Sequence, residues 1–198
     1  MHAGLQPPRP STPHPMLAPI LRIFGAAVIC CAAFAGPVLA DDTNDINRLF
    51  SAGQQAEAFS KLDALIAAKP RDPQLRFQKG VLLTEARRGP EAAAVFTQLT
   101  VDFPEIPEPY NNLAVIYAAQ ADYEKARVAL DAALRAKPDY AVALQNQGDV
   151  YAQLARASYA RALQLDPANT AIPPRLTMLR ELLKAIPTPA AQTPAASK

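Results

Sequence analysis

Residues 107–140 read PEPYNNLAVIYAAQADYEKARVALDAALRAKPDY, and the spacing within this stretch decides the fold. Tyr110, Leu113, Ala114 and Tyr117 fall at i, i+3, i+4 and i+7, which puts them on one face of a helix. A turn is expected around Ala121-Asp122. A second helix then carries Tyr123, Ala126, Leu130, Ala133 and Leu134 on its own face. Pro138 closes the stretch, because proline lacks the N–H that would continue a helix.

The same features recur at a step of 34 residues on the N-terminal side. Pro70, Pro104 and Pro138 keep that step, as do Ala58, Ala92 and Ala126. Leu62, Phe96 and Leu130 keep it too, followed by Leu65, Leu99 and Ala133. A fixed period of this length predicts an all-α array in which each helical unit packs on its neighbours. The alanines have a steric reason, since paired helices approach to about 8–10 Å only where side chains are small. Gly89 and Pro90 are expected to form the turn of the second unit, with Pro90 suited to a first helical position.

These positions resemble the tetratricopeptide repeat, a pair of antiparallel helices per unit. Unit 107–140 matches as Tyr110, Leu113, Ala114, Tyr117, Ala126, Leu130, Ala133 and Pro138. Unit 73–106 matches as Gly80, Leu83, Ala92, Phe96 and Pro104, and unit 39–72 as Leu49, Gly53, Ala58, Leu62, Leu65 and Pro70. The expected fold is a tetratricopeptide-repeat solenoid of antiparallel helix pairs over residues 41–167.

A fourth unit, 141–167, starts in phase with Leu144, Gly148 and Tyr151, but its proline, Pro167, arrives five residues early. The loss falls between Tyr151 and Arg161, where the turn between helices belongs. That segment is rich in Ala, Arg and Leu, which are good helix formers. One long helix over about 140–165 is favoured, with a shortened hairpin as the alternative. Its stripe would be Leu144, Gly148, Tyr151, Ala155, Ala162 and Leu165, and its uncovered side needs a partner. A C-terminal capping helix within 168–186, using Leu176, Leu179, Leu182 and Leu183, would supply one. A second copy of the chain, forming a homodimer through the 140–165 helix, would supply another. Residues 187–198, rich in Pro, Ala and Thr, are expected to be disordered.

The N-terminal segment carries an expectation about location. Residues 1–15 hold five prolines and no apolar period, so Met16 competes with Met1 as the start. Met16 to Ala40 has the three parts of a secretory signal: Arg22, an apolar run Ile23 to Ala35, and the small-residue site Val38-Leu39-Ala40. Cleavage after Ala40 and a periplasmic location are expected. The apolar run is shorter than the roughly 20 residues of a spanning helix, so no membrane span is expected in the mature form. An uncleaved anchor remains the alternative. Ile29 before Cys30 makes a poor lipid-attachment site.

Removing residues 1–40 takes Arg9, Arg22, both histidines and both cysteines, leaving 18 basic against 18 acidic side chains. A neutral chain argues against nucleic acid as a partner, because that partner favours a basic stripe. Without His or Cys there is no metal expectation and no disulfide, and no cofactor motif such as a phosphate-binding glycine loop. General acid–base catalysis would lack histidine, so no enzyme activity and no catalytic residue are expected.

In the family that the chain resembles, the first helices of successive units line a concave groove. The resemblance puts Asn44, Asn47, Phe77, Gln78, Val81, Asn111, Asn112, Val115, Gln145, Asn146 and Asp149 there. Asparagine is a poor helix former, so several on one face are locally costly. Amides both donate and accept, which suits an extended peptide backbone. They could equally satisfy a neighbouring turn. No Lys or Arg stands where some relatives clamp a C-terminal carboxylate. The expected function is a protein-interaction adaptor or scaffold that binds a peptide or partner protein on the groove. The alternative is a self-associating or membrane-anchored envelope assembly protein.

Overall fold

The computed structural model describes residues 37–185, with side chains from Asp42 onward. Residues 1–36, which hold most of the expected secretory signal, and residues 186–198, which hold the expected disordered tail, lie outside the described residues. Among the described residues there are eight α-helices and no strand: α1 Pro37–Ser51, α2 Gln55–Ala68, α3 Pro73–Glu85, α4 Gly89–Asp102, α5 Pro107–Ala119, α6 Tyr123–Ala136, α7 Ala141–Leu165 and α8 Ile172–Ala185. Each helix packs on the next in sequence, so the chain is a solenoid of antiparallel pairs. The helix α1 begins at Pro37, so it runs through the expected cleavage point between Ala40 and Asp41.

The period has a packing meaning. Ala58, Ala92 and Ala126 are all 0% exposed, as are Leu62, Phe96 and Leu130 at the next repeat position. Gly80 shows why one partner must be small: a Cβ built on it would lie 2.6 Å from the Phe96 ring. Where position 80 becomes Ala114 in the next unit, the facing residue falls from phenylalanine to Leu130, and both are buried. Two clusters form the core, Ile46, Leu49, Ala58, Leu62, Leu75 and Leu82 at one end, and a larger one from Leu83 to Val150. Phe59 packs against both.

The turns repeat as strictly as the core. In the first three units one residue takes a left-handed backbone: Gly53 at φ 81°, Arg87 at φ 60° and Ala121 at φ 60°. Each is followed by an amide that reaches back five residues, Gln54 N to Leu49 O at 2.9 Å, Arg88 N to Leu83 O at 2.8 Å, and Asp122 N to Tyr117 O at 2.9 Å. This ends the first helix by satisfying its last carbonyls. Only Gly53 has the residue type such a backbone favours. In the second unit Arg87 makes the left-handed step, whereas Gly89 and Pro90 open α4. Asp72 and Asp122 cap α3 and α6 by accepting from Gln74 N at 2.9 Å and Lys125 N at 3.2 Å.

The fourth unit is one 25-residue helix, α7, and the terminal helix α8 packs back along it. The next 34-residue step beyond Ala121 is Ala155, which here is helical. Two repeat positions of this unit are not used as their counterparts in earlier units are. Gly148 is not spent on repeat packing, because a Cβ there would meet nothing within 4 Å. Tyr151 is not a core residue and is 47% exposed, unlike Tyr110, Tyr117 and Tyr123, which pack against the core. The reason is common to both: α8 reaches the first half of α7 on the side of Asn146, Asp149 and Val150, where Leu183 lies, and leaves the side of Gly148 and Tyr151 uncovered. The α8 cap half-buries Leu176, Leu179 and Leu183 but leaves Leu182, Leu144 and Leu165 exposed.

Candidate functional site

The helices α1, α3, α5 and α7 supply the groove residues, and the amides divide into those spent inside the protein and those left over. Asn146 Nδ2 donates to Asn111 Oδ1 at 2.8 Å, tying α7 to α5, and both side chains are buried. Gln78 Nε2 donates to Asn47 Oδ1 at 3.0 Å, tying α3 to α1, with Gln78 buried and Asn47 half-buried. The corresponding bond between α3 and α5 is missing for a chemical reason. The residue 35 before Asn146 is Asn111, but the residue 35 before Asn112 is Phe77. Phe77 offers no acceptor and packs on Phe96, ring centres 5.5 Å apart. Asn112 turns inward to Glu108 O on its own helix, at 3.0 Å. Asn44 and Gln145 are exposed.

A cavity of about 260 Å³ opens between α5, α7 and α8. Its walls are Val115, Ala118, Ala119, Val150 and Leu183, and its polar edge is Asn146, Asp149 and Gln153. Burial raises the Asp149 carboxyl above its ordinary range. Gln153 Oε1 is buried with no hydrogen-bond partner. Glu85 Oε1 is the other buried side-chain oxygen without a partner among the described residues, and burial pushes its carboxyl up to about 7. Glu85 and Gln153 occupy the same position of the repeat, two periods apart, with Ala119 between them. Unpartnered buried acceptors carry an energetic cost that an incoming N–H group would relieve.

The expected groove set therefore splits in space. Asn146 and Asp149 line the cavity with Val115, and Asn111 stands behind Asn146. Asn47 and Gln78 form a separate pair at the other end of the array. Glu85, Ala118, Gln153 and Leu183 were not in the expected set. The repeat register relates Glu85 to Gln153, but only burial shows that their oxygens lack partners.

Several charged groups elsewhere are paired within the chain. Lys61 and Arg48 hold the Asp45 carboxyl below its ordinary range by hydrogen bonding. Arg76, at 2.6 Å, and Gln98 do the same for Asp102. No helix of the described residues is long and apolar enough to cross a membrane. No group of His, Cys, Asp or Glu among the described residues could hold a metal ion.

No curated protein matches this sequence. A solved structure titled "Structure of Naa15/Naa10 bound to HypK-THB" is similar at 16% identity and TM-score 0.46, over 72% of this chain. The match spans 22% of that other chain's length. Residues 107–140, the stretch whose spacing sets the period, match the tetratricopeptide repeat family model.

Proposed function

We propose that this protein is a non-catalytic interaction module that holds an extended segment of a partner protein along the face formed by α1, α3, α5 and α7. The observation that carries this reading is the cavity beside Gln153 and Asp149. It combines an apolar floor of Val115, Ala118, Val150 and Leu183 with a buried, unpartnered acceptor. An apolar side chain of the partner would fill the floor, and a neighbouring N–H would satisfy Gln153 Oε1. Asn111 and Asn146 hold α5 and α7 at the spacing that opens the cavity, and the exposed amides Asn44 and Gln145 are free to contact the partner directly. A photo-crosslinking residue at exposed Ala119 should trap a partner in intact cells, and Val115→Arg should abolish that product. Equal trapping from exposed Val128 on α6 would refute the reading.

We place the module in the periplasm, on the strength of the charge, apolar run and small-residue site in residues 22–40. Sequencing the N-terminus of the cellular protein tests this: Asp41 is expected, whereas Met1 or Met16 would overturn it.

A further inference from the structure

We infer that the cavity between α5, α7 and α8 takes an arginine side chain of the partner segment, so that the partner is a basic peptide. This rests on the groove reading and narrows it, because one residue then supplies both the apolar contact and the N–H groups.

The walls suit the stem of such a side chain. Val115, Ala118, Val150 and Leu183 give the cavity of about 260 Å³ its apolar lining. Leu183 belongs to α8, so the lining depends on the terminal helix. The methylenes of an arginine bury readily against such a surface while the head stays with polar groups.

The edge decides the charge. It offers the Asp149 carboxylate, the Asn146 carbonyl and Gln153 Oε1, which is buried without a partner. Asn146 spends an N–H on Asn111 Oδ1. No Lys or Arg lines the cavity. No ion pair among the described residues includes Asp149, and burial is the one cause that raises its carboxyl. A partly buried carboxylate without a counter-ion attracts a cation. A purely apolar side chain would cover both Asp149 and Gln153 Oε1 at the full cost of their desolvation.

The chain's own cations do not compete for this edge. On α3, Arg76 pairs with Asp102 of α4 and Lys79 with Asp63 of α2, each at 2.6 Å. The helix α5 carries no Lys or Arg, and α7 carries none before Arg156. Glu85, at the position of Gln153 two units earlier, adds another unpartnered acceptor on α3. Acceptors and negative charge without internal counter-ions are complementary to a basic segment.

Arginine fits this edge better than lysine. Asp149 and Gln153 are four residues apart on α7, about 6 Å along the axis. A guanidinium spreads five N–H donors over a planar fork and can serve both, whereas an ammonium is a single point. It is also less strongly hydrated, so it enters between apolar walls at lower cost. Tyr123, on the same wall, offers a ring of the kind a guanidinium packs against.

Titration of the purified full chain with synthetic nonapeptides tests the inference. The central residue is arginine, its neutral isostere citrulline, leucine or glutamate, and the flanking positions are randomised. Backbone amide shifts at Val115 and Ala118 report entry into the cavity. The arginine set should bind about tenfold more tightly than the citrulline set, and Asp149→Asn, checked for unchanged melting, should remove that preference. Citrulline, leucine or glutamate peptides that bind as tightly as arginine peptides overturn the inference and leave the groove reading standing. So does an arginine preference that survives Asp149→Asn. If no set shifts Val115 or Ala118, the groove reading falls and this inference falls with it.

Discussion

A Cβ on Gly80 would sit 2.6 Å from the Phe96 ring, so the absence of that one atom lets α4 close on α3. Gly80→Ala should therefore destabilise the protein by about 1–3 kcal/mol through overpacking, although alanine is the better helix former. Gly148→Ala is the matched control, because nothing lies within 4 Å of its Cβ. It should stabilise by up to about 1 kcal/mol, from helix propensity alone. Urea unfolding of the two variants reads both signs. Equal effects would mean that the contact at Gly80 relaxes without cost.

The Asn146–Asn111 bond joins two first helices through buried amides. Asn146→Ala leaves Asn111 Oδ1 without its donor and should cost about 1–3 kcal/mol. Replacing both with leucine removes the unmet need as well as the bond. The double variant should thus lose less than the sum of the two single leucine variants, as a double-mutant cycle in urea will show.

Ala121 holds a left-handed backbone at φ 60°, the place that Gly53 occupies in the first unit. Ala121→Gly should raise stability by a few tenths to about 1 kcal/mol, since relief of the strained backbone outweighs the added freedom of the unfolded chain. A lowered melting temperature would show that the Ala121 turn carries no strain.

Burial raises the Glu85 carboxyl from 4.5 to about 7, so the folded protein holds that proton more tightly than the unfolded chain. The stability linked to this proton is complete below the unfolded value and is lost as pH rises through 7. Asp149, also raised by burial, adds the same sign. The paired Asp45, Asp102 and Asp122 act in the opposite sense at more acid pH, because their carboxyls are lowered. Glu85→Gln should flatten the decline in the urea midpoint between about pH 5 and about pH 8, and leave the acid limb unchanged. An identical slope in both proteins would mean that Glu85 is solvated in the folded state.

Much of the array was legible in the sequence because helical contacts are local. The step from Pro70 to Pro104 to Pro138, and the buried alanines in phase with it, follow from residue size and proline chemistry. The single helix of unit four followed from the lost turn and the propensity of Asp149 to Leu163. The candidate site was only half legible. Polar type marked Asn111 and Asn146 as unusual on a helix, but not that they would bond each other. Nor did it mark Gln153, whose significance is an unpartnered oxygen, or Leu183, which joins the cavity only because α8 folds back.

The one-dimensional pattern set the helices, their order and the small-against-large pairing at each joint, because each of these depends on residues within one period. Coordinates decided which polar groups were consumed inside the protein and which remained. They also decided that the Leu144, Gly148 and Tyr151 face of α7 would stay bare. Burial and partnership belong to groups brought together from distant positions, and a distance in sequence carries no record of which side of a helix its neighbours will choose.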